Sequence, residues 1–300
     1  MATKTATMDV SNRYGGLTVV PASQAVGAEI KNIDLANLDD AATQSIRNAL
    51  IDYQVLLFRG QNISDAELVA FSARFGDLDL APPQEHGQQT ASGLPEIMLI
   101  SNVKENGVPI GSLGDGEAIW HSDMNYVENP PLGSALYARE VPPSGGDTGF
   151  CNMYMALAAL PADLRKRLEG LSIKHDSSTT SGGYLRAGFD EVKDVSEGPG
   201  AIHPIIQTHP ESGREVLYLG RRLNAYVVGM SVAESEALLD EVWQYATLKE
   251  HTWHHQWRVG DIVMWDNRTV MHRRDAFDAS ARRVMHRTQI GNRPPIKRAV

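Results

Sequence analysis

Short runs of β-forming residues, each bounded by glycine, proline or asparagine, recur along this 300-residue chain and restrict its fold more than any other feature. Such runs are typical of strands that pair with their neighbours across tight turns. We expect strands at 55–58, 96–100, 134–137, 216–219, 261–265 and 283–290. Many short strands with helices at their flanks indicate a mostly β fold, an antiparallel barrel or sandwich with helical cover.

Helical signals occur at four places between these runs. Residues 39–53 carry apolar residues at helical spacing, and capping-box sequences begin at Ser64 and Ser231. The helix after Ser64 is expected to stop at Gly76, and a shorter helix is expected at 161–169. Because no repeat and no Pro/Ser/Gly-rich linker divides the chain, residues 1–300 are predicted to form a single domain.

Charge and cysteine content narrow the functional classes. A formal net charge of -9 argues against nucleic acid as a partner, because phosphate binding needs a basic surface. The single cysteine, Cys151, leaves histidine and carboxylate as the ligands for any metal. The chain has no run long enough to span a membrane and no signal-peptide pattern at its start, so we expect a cytoplasmic protein without membrane contact.

Two segments are long, polar and rich in glycine. They cover residues 101–119 and 177–200. Such composition is typical of mobile loops at active sites. We predict active-site loops at both places.

The stretch WHSDM at 120–124 raises the possibility of a metal site. On a strand, residues i and i+2 point to the same side, so His121 and Asp123 can both reach one ion. The best third ligand is His272, which follows the expected strand at 261–265. Two histidines and one carboxylate form the facial triad of non-haem Fe(II) oxygenases. The alternative is an ordinary strand end whose polar residues alternate.

Two arginines follow His272 in the expected strand 283–290. Arg283 and Arg287 share a face under period-two alternation. If that face is buried, each guanidinium needs an anionic partner, and its fork of donors suits a carboxylate. The alternative is a surface strand with salt bridges.

With these residues together, the sequence resembles the taurine dioxygenase and 2,4-dichlorophenoxyacetate dioxygenase family (TauD/TfdA) of Fe(II)- and 2-oxoglutarate-dependent oxygenases. The resemblance spans nearly the whole chain. It is carried by GAEI at 27–30, QVLLFR at 54–59, RFG at 74–76, WDNR at 265–268 and MHR at 285–287. It implies a double-stranded β-helix, or jelly roll, of the cupin-like kind.

The resemblance also implies a ligand set and a reaction. Iron would be held by His121, Asp123 and His272. With 2-oxoglutarate as cosubstrate and O2 as oxidant, the expected reaction is hydroxylation of a C–H bond with release of succinate and CO2. Asp123 disfavours halogenation, because halogenases of this broader class have a small residue in place of the carboxylate.

Three further residues correspond to cosubstrate contacts in that family. Arg283 would grip the far carboxylate of 2-oxoglutarate, and Thr148 in GGDT would hydrogen-bond the same group. Arg287 corresponds to a second arginine near the substrate or the 1-carboxylate end.

Two other functional classes stay open at this point. A metal-dependent hydrolase with the same ligands leaves Arg283 and Thr148 without a purpose, and a non-catalytic jelly-roll module would need a closed metal site.

The substrate pocket differs from that of the taurine enzymes. Ala81 and Gln84 occupy the positions of their pocket histidine and tyrosine, and Glu117 that of an asparagine, so taurine is not expected. Arg287 and Glu117 together would suit a small zwitterion such as an amino acid, unless Glu117 points to solvent. We therefore expect a small anionic or zwitterionic substrate and, from the family, a homo-oligomer.

Other candidate substrate residues are chosen by position. Asn125 and Tyr126 directly follow the expected metal pair. Tyr184, Arg186 and Phe189 lie in the glycine-rich segment 177–200 and would close over the substrate if that segment is a lid. The alternative is that this segment is ordinary packing.

Overall fold

The computed structural model describes residues 13–81, 93–116 and 118–291, and the backbone of 297–298. Its helices are α1 (Asp40–Tyr53), α2 (Asp65–Ala73), α3 (Met153–Ala158), α4 (Ala162–Leu168) and α5 (Val232–Ala246). The strands, in chain order, are β1 (Thr18–Pro21), β2 (Ala28–Lys31), β3 (Val55–Phe58), β4 (Leu78–Asp79), β5 (Met98–Ser101), β6 (Lys104–Glu105), β7 (Val108–Pro109), β8 (Ser112–Leu113), β9 (Ala118–His121), β10 (Gly133–Glu140), β11 (Thr148–Asn152), β12 (Ser172–Lys174), β13 (Ile202–Pro204), β14 (Ile206–Thr208), β15 (Glu215–Leu217), β16 (Tyr226–Val227), β17 (Thr252–His255), β18 (Ile262–Asp266), β19 (Val270–Arg274), β20 (Val284–Ile290) and β21 (Lys297–Arg298).

Two sheets packed face to face form the centre of the molecule. The large sheet has the order β1-β2-β3-β18-β10-β20-β5-β8, with β4 also paired to β20, and the small sheet has the order β17-β11-β19-β9. From β9 to β11 and again from β17 to β20, consecutive strands alternate between the two sheets. This alternation is the winding of a double-stranded β-helix, as the resemblance implied.

Alternation within single strands separates the buried layers. In β18, Val263 and Trp265 face the core between the two sheets, where Phe150 of the small sheet meets them. Ile262 and Met264 point the other way and pack against α1 and α2. Burying one such side chain stabilises the fold by roughly 1.5–3 kcal/mol, so these two cores hold the large sheet between its partner sheet and its helices. A third core packs α3, α4 and α5 behind the small sheet.

The orientation of β20 is fixed by polar contacts on its outer face. His286 Nδ1 lies 2.7 Å from Asp65 Oδ1 at the start of α2, and the hydroxyls of Thr288 and Ser72 lie 2.7 Å apart. These contacts hold the even-numbered residues of β20 against the helix layer. Arg287, and Arg283 directly before the strand, therefore face the space between the sheets.

The four helices expected from sequence are all present. Both capping boxes form, at Ser64 with Glu67 and at Ser231 with Glu234, and Asp39 caps α1. Helix α3 was not predicted, because it is only six residues long and its signal is one side chain, Asn152, which accepts from two backbone N–H groups. Among the described residues, no helix combines the length and apolar composition needed to cross a bilayer.

All six expected strands are present with small shifts at their ends, and others were missed. β11, β17 and β19 are short and rich in polar residues, TGFCN, TWHH and VMHRR, so their sequences lack the apolar runs used for prediction. The segment 101–119 is less irregular than expected, because Asn106 and Gly107 have positive φ angles of 51° and 81° and close a small β6–β7 hairpin. Segment 177–200 has one isolated bridge, Thr179↔Leu185.

Candidate active site

Three candidate ligands meet at one edge of the space between the sheets. His121, the last residue of β9, lies directly opposite His272 of β19, and their ring centroids are 4.2 Å apart. Asp123 Oδ1 is 3.9 Å from Nε2 of each histidine. One ligand atom from each of the three side chains lies within 4.8 Å of the others, which is close enough to hold one metal ion.

Asp123 reaches this cluster by a route that differs from the expected strand alternation. The strand ends at His121, and Asp123 lies in the turn that follows, next to Met124 with a φ of 46°. The Asp123 N–H donates to Asn267 Oδ1 at 2.7 Å, and Asn267 Nδ2 donates back to the Asp123 carbonyl at 2.9 Å. The buried Asn267 of the WDNR sequence therefore replaces the missing ladder bonds and aims the carboxylate.

The protonation states of the cluster suit a metal ion. Burial lowers the pKa of His121, and burial together with His121 lowers the pKa of His272 to about 3. Burial alone would raise the pKa of Asp123, but Arg287 and the two histidines outweigh it and lower the pKa to about 2. At neutral pH the cluster thus holds two neutral imidazoles and a carboxylate, the forms that bind metals.

The orientation of each imidazole has a separate cause. His121 Nδ1 donates to the carbonyl oxygen of Ile119 at 2.7 Å, which leaves Nε2 facing the cluster. Nδ1 of His272 has no hydrogen-bond partner among the described residues, and its ring is held by packing between Phe150 and Trp265.

Arg283 lies buried directly before the start of β20. Its side chain is 2% exposed, its Nε has no hydrogen-bond partner in the described structure, and burial together with Arg274 lowers its pKa to about 9. Nearby, Thr148 Oγ1 accepts a hydrogen bond from Trp257 Nε1 at 2.9 Å, so the threonine proton is free to be donated to a ligand. The two residues form a buried polar site suited to an anion.

Two glycines make this arrangement possible. Gly145 and Gly146, just before Thr148, have φ angles of 74° and 67°. A Cβ on Gly145 would lie 2.7 Å from the Ala276 carbonyl oxygen, and one on Gly146 would lie 3.3 Å from Arg283 Nε. The GGDT sequence is therefore needed for the close approach of this turn to Phe277 and Arg283.

Arg287 has a different environment from Arg283. Its Nη1 donates to Asp123 Oδ1 at 3.1 Å, and its Nη2 lies 3.1 Å from Met98 Sδ. Because both arginines are buried on the inner face, the alternative of a surface strand with salt bridges is wrong.

A cavity of about 720 Å³, part of it open to solvent, joins these groups. His121, His272, Thr148, Arg283 and Arg287 line it. Both predicted loop segments also contribute to its wall, through Leu113, Gly116, Ala118, Thr180, Ser181, Gly182 and Tyr184. No Asp or Glu of the described ranges lines it, whereas Arg273, Arg274, Arg283 and Arg287 do.

Comparison with known proteins agrees with this geometry. A family model described as "Taurine catabolism dioxygenase TauD, TfdA family" matches residues 18–289. The chain belongs to this family. Its TauD/TfdA relatives include an (S)-phenoxypropionate/alpha-ketoglutarate-dioxygenase from Sphingobium herbicidovorans, 32% identical over 295 residues that cover 94% of this chain and 97% of the relative. An alpha-ketoglutarate-dependent 2,4-dichlorophenoxyacetate dioxygenase from Cupriavidus pinatubonensis is 35% identical over 276 residues, covering 89% and 95%.

Solved structures of TauD/TfdA-type enzymes share the fold. A taurine dioxygenase from Burkholderia xenovorans matches with a TM-score of 0.75 and 32% identity, over 93% of this chain and 90% of that one. AAD-2 in complex with Mn(II) and N-oxalylglycine matches with a TM-score of 0.74 and 29% identity, over 93% and 98%. The protein is thus a jelly-roll, 2-oxoglutarate-dependent dioxygenase that uses Fe(II), 2-oxoglutarate and O2, and the hydrolase and binding-module alternatives are excluded.

Several predicted substrate residues of this TauD/TfdA-family chain lie away from the cavity wall or outside the described residues. Asn125 is buried but does not line the cavity, and Tyr126 lies under the Arg186 guanidinium, 4.1 Å from its ring centroid. Phe189 is partly exposed and also does not line it. Gln84 and Glu117 lie outside the described residues.

Sequence reasoning missed two residues beside the cosubstrate side of the cavity. Arg274 lines the cavity and is 9% exposed, and the centroid of the Phe277 ring lies 5.7 Å and 5.9 Å from the guanidinium carbons of Arg274 and Arg283. Period-two alternation from His272 would have found Arg274, whereas the position of Phe277 depends on its bridge to Gly145 and left no sequence signal.

Proposed function

We propose that this dioxygenase hydroxylates an unactivated C–H bond of a small organic acid and releases succinate and CO2, with iron held by His121, Asp123 and His272. The observation that carries the proposal is the convergence of their ligand atoms, within 4.8 Å of one another, on a cavity that also contains the buried Arg283. Fe(II) bound there supplies the redox chemistry that couples O2 to 2-oxoglutarate. The chain's own residues supply the ligands, the cosubstrate site and the walls that exclude water.

Arg283 and Thr148 are proposed to hold the far carboxylate of 2-oxoglutarate. A guanidinium that is 2% exposed needs an anion to offset the cost of burial, and a carboxylate fits its fork of donors. The Thr148 hydroxyl adds a second donor, because it accepts from Trp257 Nε1 and its own proton remains available. Arg287 contributes in another way, since its bond to Asp123 keeps that carboxylate ionised and oriented.

We infer that the substrate combines an acidic group with an apolar body. Arginines supply the charged part of the cavity wall, while Leu113, Ala118 and Tyr184 supply apolar and aromatic surface. Relatives named for phenoxypropionate and 2,4-dichlorophenoxyacetate support the same class of aryl-bearing acid. An amino acid or other zwitterion is the second candidate, because the sequence also contains Glu117, whose negative charge would complement Arg287.

The remaining inferences concern organisation. We infer that residues 1–300 form one dioxygenase domain and that segments 101–119 and 177–200 act as its active-site loops, which their contributions to the cavity wall support. The homo-oligomer stays a prediction, and light scattering on the purified protein tests it.

The test of the proposed function is an anaerobic titration of the metal-free protein with Fe(II) and 2-oxoglutarate, followed by O2. We expect a weak visible charge-transfer band in the first step and substrate-stimulated succinate in the second. The substrate panel contains aryloxyalkanoic acids, sulfonates, sulfate esters and amino acids. Stimulation by amino acids alone would favour the zwitterion, and no band in a folded protein would overturn the metal assignment.

Variants connect this result to the ligands. His121→Ala and Asp123→Ala should each abolish both the band and turnover, because each removes one of only three ligands in the cluster. The matched control is His254→Ala, which removes a more exposed histidine from strand β17 at the far edge of the same sheet and should leave both signals intact. Near-normal activity in both ligand variants would contradict the proposal.

A further inference from the structure

Arg274 occupies a position beside the proposed cosubstrate site that no assigned role explains. It is the last residue of β19, two positions after His272 and therefore on the same face of the strand. Thr148 of β11 is its direct cross-strand partner. Side chains that face each other in this way start about 4.5–5.5 Å apart, so the Arg274 side chain starts next to the Thr148 hydroxyl.

Arg274 also lies near Arg283, since its charge helps to lower the pKa of Arg283. The two guanidinium carbons lie 5.7 Å and 5.9 Å from the centroid of the same ring, that of Phe277. Both side chains line the cavity, at 9% and 2% exposure, and Nε of each lacks a hydrogen-bond partner in the described residues. Two buried cations thus border one end of one cavity.

Within the described ranges, the direct contacts of Arg274 include no carboxylate, and Asp115 acts on it only as a more distant charge. Its Nη2 donates to the carbonyl oxygens of Leu113 and Gly116, in the segment that covers the cavity. Carbonyl groups satisfy hydrogen-bond donors but carry no net charge. In the part of the chain that the structure describes, neither Arg274 nor Arg283 forms an ion pair within 4.0 Å, and Asp115 and Asp147 act on them only as more distant charges. An anion that reaches both arginines would therefore offset two burial costs at once.

We propose that the far-carboxylate subsite for 2-oxoglutarate contains two arginines, with Arg283 and Arg274 facing the same carboxylate and Thr148 donating between them. This inference rests on the proposed function, which assigns that end of the cavity to the cosubstrate. A carboxylate has two oxygens and about four acceptor positions, enough for two guanidinium groups and one hydroxyl. Arg274 is then a residue that selects oxoacids with a charged far end, in addition to holding the 113–116 segment.

Equilibrium binding of 2-oxoglutarate to the Mn(II)-loaded protein, measured by isothermal titration calorimetry, tests this role without turnover. Arg274→Gln keeps hydrogen-bond donors for the carbonyls but removes the charge, and should weaken binding about tenfold or more. Arg274→Lys keeps the charge and should retain most of the affinity. The control Arg282→Gln removes an exposed arginine that pairs with Glu140 and should bind like the wild type.

A second oxoacid separates a charge effect from a structural one. 2-Oxovalerate has the same carbon chain as 2-oxoglutarate with a methyl group in place of the far carboxylate. If Arg274 faces that carboxylate, the penalty of Arg274→Gln should disappear with 2-oxovalerate, whose weaker binding is measured by displacement of 2-oxoglutarate. An equal penalty for both oxoacids would overturn the inference and leave Arg274 as a support for the 113–116 segment.

The remaining outcomes are also decisive. Unchanged 2-oxoglutarate affinity in Arg274→Gln, with normal binding by the wild type, would overturn the two-arginine subsite alone. A folded, Mn(II)-loaded wild type that binds no 2-oxoglutarate would overturn the proposed function as well. Circular dichroism of each variant establishes that the fold is retained.

Discussion

At the scale of single residues, Arg283 and Arg287 line the same cavity but differ in their partners. Arg283 has no ion-pair partner among the described residues, whereas Arg287 bonds to the triad carboxylate Asp123. A guanidinium without an ion-pair partner gains a new charge-assisted hydrogen bond when a ligand carboxylate binds. A guanidinium that is already paired gains less.

This difference gives the first prediction. Arg283→Ala should raise the apparent KM for 2-oxoglutarate roughly tenfold to hundredfold, since a hydrogen bond to a charged group contributes about 1.5–3 kcal/mol. Arg287→Ala should change that KM less and should instead weaken Fe(II) binding, because Asp123 loses its partner. Succinate release at varied 2-oxoglutarate and varied Fe(II) distinguishes the two effects. Equal changes in both variants would contradict the distinction between the two arginines, and the reversed pattern would mean that their roles are exchanged.

The residues of the site differ in how far sequence could predict them. His121, Asp123 and His272 followed from ligand chemistry and spacing, and their convergence agrees with that prediction. The turn that aims Asp123 did not follow, because it depends on the side chain of Asn267, 144 positions away. Arg274 was within reach of strand alternation, but its meeting with Arg283 at Phe277 depends on long-range packing that no local pattern records.

At the scale of elements, the turn 145–148 carries the second prediction. Gly145→Ala should destabilise the protein and raise the KM for 2-oxoglutarate, because the new Cβ would lie 2.7 Å from the Ala276 carbonyl oxygen and displace the turn that carries Thr148. The matched control is Gly60→Ala. Gly60 also has a positive φ, 62°, but its Cβ would meet no heavy atom within 4 Å.

Thermal unfolding and succinate kinetics measure the two effects of these variants. Both should incur the backbone cost of a left-handed residue, about 1–2 kcal/mol. Only Gly145→Ala should also weaken cosubstrate binding. A KM that rises equally in both variants would show that the turn at 145–148 has no special relation to the cosubstrate.

The 179–185 turn, which covers the cavity with Tyr184, is held from below by one arginine. Arg221 is 4% exposed and donates to the carbonyl oxygens of Thr179 and Asp176 at 2.8 Å and 2.9 Å. Within the turn, the Thr180 N–H donates to the Tyr184 carbonyl oxygen at 2.8 Å. The turn is therefore anchored at its base while its tip is exposed.

The third prediction removes that anchor. Arg221→Met should accelerate hydrogen exchange of the backbone amides in 179–186 and increase succinate formation that is not matched by product, because a loosened cover admits water. Exchange followed by mass spectrometry and the ratio of succinate to product measure these effects. Arg222→Met is the control, since Arg222 pairs with Glu236 and Asp240 on α5 instead. Unchanged exchange in Arg221→Met would contradict the anchoring role.

Helices with a capping signal and strands with an apolar run were predictable, whereas strands that lack such a run were not. The capping boxes at Ser64 and Ser231 predict the starts of α2 and α5, because each box is complete within four residues of sequence. The strands β11 and β19 have no such signal. They bury polar residues such as Thr148 and His272 because these face the site, so the function of the chain itself removes the apolar pattern that would reveal them.

At the scale of the whole molecule, one polar network joins layers that the apolar cores leave separate. Asp266, at the end of β18 in the large sheet, bonds to His209 Nε2 at 3.0 Å and to Arg268 at 2.6 Å. Arg268 continues to Glu211, and Glu211 to Arg47 on α1. The network therefore connects the helix layer, the large sheet and the segment between β14 and β15.

This network should make the stability of the fold depend on pH in the acid range, which is the fourth prediction. Burial alone would raise the pKa of Asp266, but Arg268 and His209 outweigh it and hold the pKa well below the usual 3.8. A carboxyl group whose pKa is lowered by folding stabilises the fold fully above its unfolded pKa, and this contribution is lost as the pH falls below that value. The free energy of unfolding of the metal-free protein should therefore decrease as the pH falls from about 5 towards 3.

The variant Asp266→Asn assigns that dependence to one group. It should lower the free energy of unfolding at pH 7 by roughly 3 kcal/mol, at the low end of the cost of breaking a buried pair, because Arg268 keeps Glu211 as a partner. Its stability should then vary less with pH than that of the wild type, since the group that takes up the proton is gone. Urea unfolding at pH 7 and pH 4 measures both effects.

The control Asp278→Asn alters an exposed carboxylate whose side-chain bonds in the described structure go to the nearby Ser280, and it should retain the wild-type pH dependence. If Asp266→Asn keeps that dependence too, the loss of stability in acid comes from another carboxylate. The network would then act at pH 7 only through its packing.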